Sequence, residues 1–190
     1  MATLPLVAIA RSEEVKPVEV YECIRSRVTV RSFKPDPVPE AVVRRVLRAG
    51  RWAPSSRNRQ PWHFIVVSDP QMLKRLGEIA TSGRFIADAP LAIAIVVDDA
   101  DRPELDAGRA LQQMELVAWD EGLGTCFVGL RVEEQNRQIK ELLGIPEQME
   151  LVTLLPFGYR TDDTEGRGNR RRPLREITHR ERFGDPYIDE

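Results

Sequence analysis

Three short stretches of this chain hold side chains whose types and spacing suit ligand chemistry. The first is Arg25-Ser26-Arg27-Val28-Thr29-Val30-Arg31. Arg27 and Arg31, with the Thr29 hydroxyl between them at the end of an expected helix, can converge on one phosphate. A guanidinium offers a planar fork of donors that matches phosphate oxygens, and a hydroxyl adds a neutral donor. The plainer account of such a cluster is a solvated basic face. The second stretch, Pro54 to Trp62 (PSSRNRQPW), packs hydroxyls, amides and rigid prolines into a loop between a helix and a strand. Such loops present side chains and backbone amides to ligands, although the same residues serve ordinary turns. The third is Gly122-Leu123-Gly124-Thr125-Cys126-Phe127-Val128-Gly129. A dinucleotide fingerprint needs a strand before it and a helix after it. Here the order is reversed, leaving a stretch whose backbone can come close to a flat ligand, or a helix cap followed by a buried strand.

Other reaction schemes find little footing. His63 falls on an apolar strand and reads as a structural histidine, and His179 lies in an arginine-rich tail with no acid or nucleophile pattern around it. There is no GxSxG, HExxH or P-loop motif. Asp98, Asp99 and Asp101 read as a solvated turn rather than a metal cluster, and Cys126 as an inert residue of an apolar strand. The sequence therefore predicts no catalytic acid, base or nucleophile and no metal site.

The elements that must position these stretches follow from hydrophobic period. Val18, Tyr21, Ile24 and Val28 predict a first helix over about Val18 to Arg27, and prolines at 35, 37 and 39 an extended connector after it. Val42, Val43, Val46 and Leu47 mark a second helix opened by Pro39. Strands are expected at Trp62 to Ser68, Leu91 to Val97, Thr125 to Gly129 and Leu151 to Pro156. Helices are expected around Leu73 to Ile79, from Pro103 to about Glu121, and around Val132 to Leu142. Few strands among many helices predict an α+β or three-layer sandwich with a modest sheet.

The chain has 190 residues, 42 % hydrophobic and 31 % charged, with a net charge of −2. That size supports a core without disulfide or metal staples. The charge balance gives no pull toward nucleic acid or an anionic membrane. Cys23 and Cys126 stand far apart with no cysteine or histidine cluster around them, which suits a reducing cytoplasm. Residues 1–11 lack the positive n-region and cleavage site of a signal peptide. No stretch reaches the roughly 18 apolar residues of a membrane span.

Taken together, the segments resemble the nitroreductase family of flavoproteins. The resemblance rests on RVTVRSF (27–33), PVPEAVVRRVLRAGRWAPSSRNRQPWHFIVV (37–67), DAPLAIAIVVD (88–98), DAGRALQQMELVAWDEGLGTCFVG (106–129), LGIPEQMELVTLLPFGY (143–159) and RRPLREITH (171–179). It implies a three-layer α/β/α sandwich with a small central mixed sheet. A flexible arm (1–16) would precede an FMN-binding domain (17–160), and a C-terminal extension (161–190) would embrace a partner subunit. It further implies FMN, with Arg27, Val28, Thr29 and Arg31 at the phosphate. Thr29 keeps a hydroxyl where the family commonly has serine, and Val28 replaces a frequent basic residue. Pro54, Ser55, Ser56, Asn58 and Gln60 would reach a flavin bound mainly by the other subunit of a homodimer. The backbone of Cys126, Phe127, Val128 and Gly129 would face the reactive edge of the isoalloxazine. Arg170 and Arg172 would add phosphate ligands.

By the same resemblance, NADH or NADPH delivers hydride to FMN and leaves, and a small acceptor such as a nitroaromatic or quinone follows in the same cleft. The cofactor then carries the hard chemistry, which accounts for the missing acid and base. The scaffold also serves reductive dehalogenation and flavin destruction, with discriminating lid residues expected near Ser82 to Ile86. A flavin-binding or nucleic-acid-binding module without turnover is the reading from another class, motivated by the tail arginines.

Overall fold

The computed structural model describes residues 19–98, 102–161 and 171–188. The expected arm over residues 1–16, Asp99, Asp101 and Arg170 lie outside the described residues.

Five strands form one sheet: β1 (Trp62–Val67), β2 (Leu91–Val97), β3 (Leu123–Thr125), β4 (Val128–Gly129) and β5 (Glu150–Tyr159). The order is β1-β2-β5-β3, and β4 also pairs with β5. All these pairs are antiparallel; the parallel component is a bridge between Thr29 and Thr125. β2 is buried at every position, because it is covered on both faces. Ala92, Ala94 and Val96 face a layer that includes Leu73, Leu76, Ile86 and Ile139. Leu91, Ile93, Ile95 and Val97 face Val43, Val46, Met114 and Ala118. Helices α3 (Pro70–Ile79) and α5 (Glu133–Leu143) thus cover one side, and α2 (Glu40–Arg51) and α4 (Pro103–Asp120) the other. A near-continuous apolar strand is what such a sandwich demands.

The elements form where the local chemistry favours them. Asp69 caps α3 by accepting from the Met72 amide at 2.8 Å, with Pro70 pre-set for the first turn. α4 ends as Gly122 takes φ +81°, the left-handed turn that lets the chain reverse into β3. The first helix, α1, runs over Val20–Ser26 and stops there because Arg27 is already extended, at φ −60° and ψ 128°.

Three expectations need correction. The strand expected over Thr125 to Gly129 is two pieces, β3 and β4, in one register with β5, and the gap falls opposite Pro156, which has no backbone N–H. Ser82 to Ile86, near which lid residues were expected, fall in a 3-10 segment (Thr81–Asp88) built into the body: Ile86 is fully buried and the Ser82 hydroxyl donates to the Gly129 carbonyl at 2.9 Å. His63 lies exposed near the start of edge strand β1, its Nε2 3.3 Å from Asp98 Oδ2, although Ile65 and Val67 further along the same face pack into the core.

The segment after α1 is stitched to the sheet edge. The Val30 amide donates to the Thr125 carbonyl at 3.0 Å, and Val30 is buried. A Cβ on Gly124 would stand 2.5 Å from Val30 Cβ and 2.6 Å from both its γ-methyls. Gly124→Ala should therefore destabilise the protein by about 1–3 kcal/mol, the usual cost of forcing extra volume into a packed site. Urea unfolding measures it, and Val30→Ala in the same chain should recover part of the loss through their contact. Additive losses in the double variant would show that the two residues do not share this constraint.

Candidate functional site

The arginine segment and the glycine-bordered stretch meet at one edge of the sheet. Residues 27–31 run extended beside β3, joined through the Thr29–Thr125 bridge and the Val30–Thr125 hydrogen bond. An extended chain alternates its side chains. With Val30 turned inward, Thr29 and Arg31 on either side of it are exposed. Arg27 is half-buried at the start of the same run, and Val28 is half-buried beside it. Arg31 extends over the Phe85 ring, 6.0 Å from its centroid. The Thr125 hydroxyl, buried at the junction, has no hydrogen-bond partner.

Cys126, Phe127, Val128 and Gly129 follow directly. Cys126 and Val128 are buried, while Phe127 is exposed in the gap between β3 and β4. The Val128 carbonyl is fixed by the Thr153 hydroxyl at 3.0 Å. Burial pushes the Cys126 thiol up; the Arg31 guanidinium opposes this and the Glu115 carboxylate adds to it. A thiol so placed stays protonated near neutral pH and is a poor nucleophile.

The loop of Pro54, Ser55, Ser56, Asn58 and Gln60 lies elsewhere. It hangs on Asp106, which is 1 % exposed in the first turn of α4. The Ser56 amide donates to both Asp106 carboxylate oxygens, at 3.2 and 3.3 Å, and Arg109 donates to Oδ1 at 3.1 Å. Within the loop, the Gln60 amide donates to Ser55 Oγ at 2.9 Å and the Gln60 side-chain amide to Asn58 Oδ1 at 3.2 Å. Arg57, Asn58 and Gln60 take φ of 51°, 55° and 53°. Left-handed conformations at non-glycine residues cost free energy and persist where surroundings over-determine them, as at ligand clamps.

The two groups therefore sit at opposite ends of α4. The arginine segment lies by its second half, where Trp119 Nε1 donates to Ser26 Oγ at 3.0 Å and Arg27 approaches Glu115. The loop lies by its first turn. Asp106 and Glu115 are about 14 Å apart along the axis at 1.5 Å per residue. Arg172 is exposed in the C-terminal segment, where it hydrogen-bonds Glu176.

Sequence reasoning missed Asp106 and Glu115, the two buried acids of α4. A signal existed for the second. Glu115 falls four residues after Leu111 and three before Ala118, on the apolar stripe, where a carboxylate is out of place. Burial pushes its carboxyl above the usual carboxylate range, with the Arg27 guanidinium opposing. Among the described residues no group of histidine, cysteine, aspartate and glutamate has the arrangement of a metal site. No helix there is long and apolar enough to cross a membrane.

Comparison with known proteins places this geometry in context. A model of the nitroreductase family matches residues 24–98 and 81–159. A protein of Archaeoglobus fulgidus, provisionally named an NADH dehydrogenase/NAD(P)H nitroreductase, is 32 % identical over 77 % of this chain and 88 % of its own length. A solved structure from Parabacteroides distasonis under the same provisional name superposes with a TM-score of 0.78 at 27 % identity, covering 84 % of this chain and 96 % of that one. The structure of an FMN-dependent nitroreductase from Clostridium difficile gives 0.71 at 28 % identity, covering 77 % and 91 %.

Removing the loop's anchor should loosen it. In Asp106→Ala the half-buried Ser56 amide loses its charged acceptor, at a cost of about 1.5–3 kcal/mol for a hydrogen bond to a charged group. Trypsin should then cut after Arg57 and Arg59 several-fold faster under native conditions, as mass spectrometry of the fragments will show. Unchanged cleavage would mean that the loop holds its own conformation.

Proposed function

The chain belongs to the nitroreductase family, and from that premise we propose that it is an FMN-dependent oxidoreductase that takes hydride from NADH or NADPH and passes it to a small acceptor such as a nitroaromatic or quinone. The observation that carries the reading is the extended 27–31 segment held against Gly124 and Thr125, with Thr29 and Arg31 turned outward beside the Cys126–Gly129 backbone. Two guanidiniums and a hydroxyl suit a phosphate monoester, and the neighbouring stretch, with Phe127 exposed, suits a flat ring.

Arg27, Thr29 and Arg31 hold the phosphate in this reading, with Val28 lining it, and Cys126, Phe127, Val128 and Gly129 face the ring. Arg170 and Arg172 are assigned as further phosphate ligands. Bound FMN supplies the hydride-accepting and hydride-donating centre, so the chain's own residues bind, orient and exclude water. No side chain is assigned as catalytic. The fit is chemical: the donor set carries two positive charges and a hydroxyl on one extended segment, and Gly124 lets Val30 pack close enough to hold that segment against the sheet edge.

The loop of Pro54, Ser55, Ser56, Asn58 and Gln60 serves the flavin of a partner in a homodimer. Its place at the opposite end of α4 from Arg27 supports this. So do the exposed apolar side chains Val20, Tyr21 and Ile24 on α1 and Leu174, Ile177, Phe183 and Tyr187 near the C-terminus. A large exposed apolar surface is the usual mark of an interface. The buried, unpaired cysteines suit a reducing cytoplasm.

The purified protein should carry non-covalent flavin that runs as FMN after acid release, and NADH or NADPH should bleach its absorbance. FAD on the chromatogram, or a colourless protein that FMN does not reconstitute, overturns the proposal.

The shared site has its own test. Arg27→Ala should weaken FMN about ten- to 150-fold, the loss of one charge-assisted hydrogen bond, and Asn58→Ala should weaken it from the opposite subunit. Mixing the two variants then builds heterodimers with one doubly defective site and one intact site. Flavin titration of the mixture should recover a tight fraction that neither parent shows. Subunit exchange without such a fraction would place both residues at the same chain's flavin.

A further inference from the structure

The functional reading leaves Glu115 without a task. It is 5 % exposed, on the half of α4 that runs under the arginine segment. Its Oε2 stands 3.8 Å from Arg27 Nη1, with the Glu115 side chain 7 % and the Arg27 side chain 22 % exposed. That is an ion-pair distance, too long for a hydrogen bond. By contrast Asp106, the other buried acid among the described residues, is satisfied by a backbone amide and an arginine.

An ionised carboxylate at this place works against phosphate. A phosphate monoester carries between one and two negative charges near neutral pH, its second pKa lying at about 6. Arg27 and Arg31 offer two positive charges, and an ionised Glu115 cancels one of them from below. A neutral Glu115 leaves both to the ligand. Resting on the FMN reading, we propose that Glu115 is a proton-linked element of the cofactor site: it holds Arg27 in the free protein and takes a proton from solvent when the FMN phosphate arrives.

The surrounding groups fit that role. Facing Glu115 are Arg27, from the segment after α1, and Cys126, from between β3 and β4, with Arg31 beyond the thiol. Of the charges on neighbouring elements, Arg45 of α2 is engaged by Asp120 and Glu121 one turn further along α4, and Arg160 lies over the Trp119 ring at 3.8 Å. Burial raises Glu115 above the ordinary carboxylate range, so its protonation falls nearer to neutral pH than that of a surface acid. The Cys126 thiol, also pushed up, already holds its proton and contributes no uptake. The sign follows: each FMN bound above the Glu115 transition takes up a proton, so affinity falls as pH rises through it.

The test uses the full chain stripped of flavin and titrated with FMN between pH 5.5 and 8.5, with riboflavin as the phosphate-free probe. Above about pH 7, where the phosphate is already mostly dianionic, FMN should bind more weakly as pH rises, whereas riboflavin should not respond. Glu115→Gln should tighten FMN about five- to tenfold at pH 8, the removal of one nearby like charge, and leave riboflavin unchanged. Its FMN affinity should instead follow the phosphate, rising as the dianion forms. Calorimetry of the unaltered protein in buffers of different ionisation enthalpy needs no variant. It should show net proton uptake at pH 8, where the phosphate is already dianionic. Zero uptake there, or a Gln variant whose FMN curve parallels or lies weaker than the parent's, overturns the proposal and makes Glu115 a structural support for Arg27. Failure of parent and variant alike to bind FMN at any pH overturns the cofactor reading and this inference with it.

Discussion

Everything at the candidate site depends on one close approach of backbone to backbone, where Val30 lies against Gly124 and donates to the Thr125 carbonyl. The contact needs a residue without Cβ on the strand side, and it turns residues 27–31 from the free end of a helix into an added edge of the sheet. Once Val30 is inward, the two-residue period of extended chain decides the rest: Thr29 and Arg31 must point away from the core. Burial of one valine thus sets the direction of a hydroxyl and a guanidinium. The same contact brings those donors to the start of the Cys126–Gly129 stretch.

Helix α4 supplies the other half of the arrangement. Its apolar stripe seals one face of the sheet through Ala107, Met114 and Ala118, so the helix cannot shift without opening the core. On that immobile rod stand two buried acids with different surroundings. Asp106 has a full set of donors and holds a loop in a conformation its residues would not choose alone. Glu115 has a distant arginine and little else, so its charge is expensive and easily exchanged for a proton. One helix therefore carries both a rigid anchor and a labile charge, distinguished only by hydrogen bonding.

Much of the layout is legible in the sequence. β2 read as a central strand because seven apolar residues in a row suit an element covered on both faces. α4 and α5 ended at Gly122 and Gly144, the left-handed turns that glycine permits. Other positions misled. The residues from Ser82 to Ile86, expected near a lid, lie in a segment built into the body, whose Ile86 is fully buried. His63 read as a structural histidine from the apolar run around it; it stands in water near the start of edge strand β1, beside Asp98, while Ile65 and Val67 on the same face pack into the core.

What the chain determined by itself is the inventory and its order: the arginines with their hydroxyl, the turn-prone loop, the glycines, and the periods that separate helix from strand. These are local properties, written within a few residues of one another. What only the tertiary structure decided is which of them meet. The arginine segment joins Gly124 and Thr125 across about ninety-five positions of chain, and the loop hangs on Asp106 fifty residues away. Such pairings come from burial and backbone hydrogen bonding between distant elements, which no local period records. The charge state of Glu115 belongs to the same class, because a carboxyl's preference for its proton is set by the water it loses and the cation it keeps, and both are known only once the chain has closed around it.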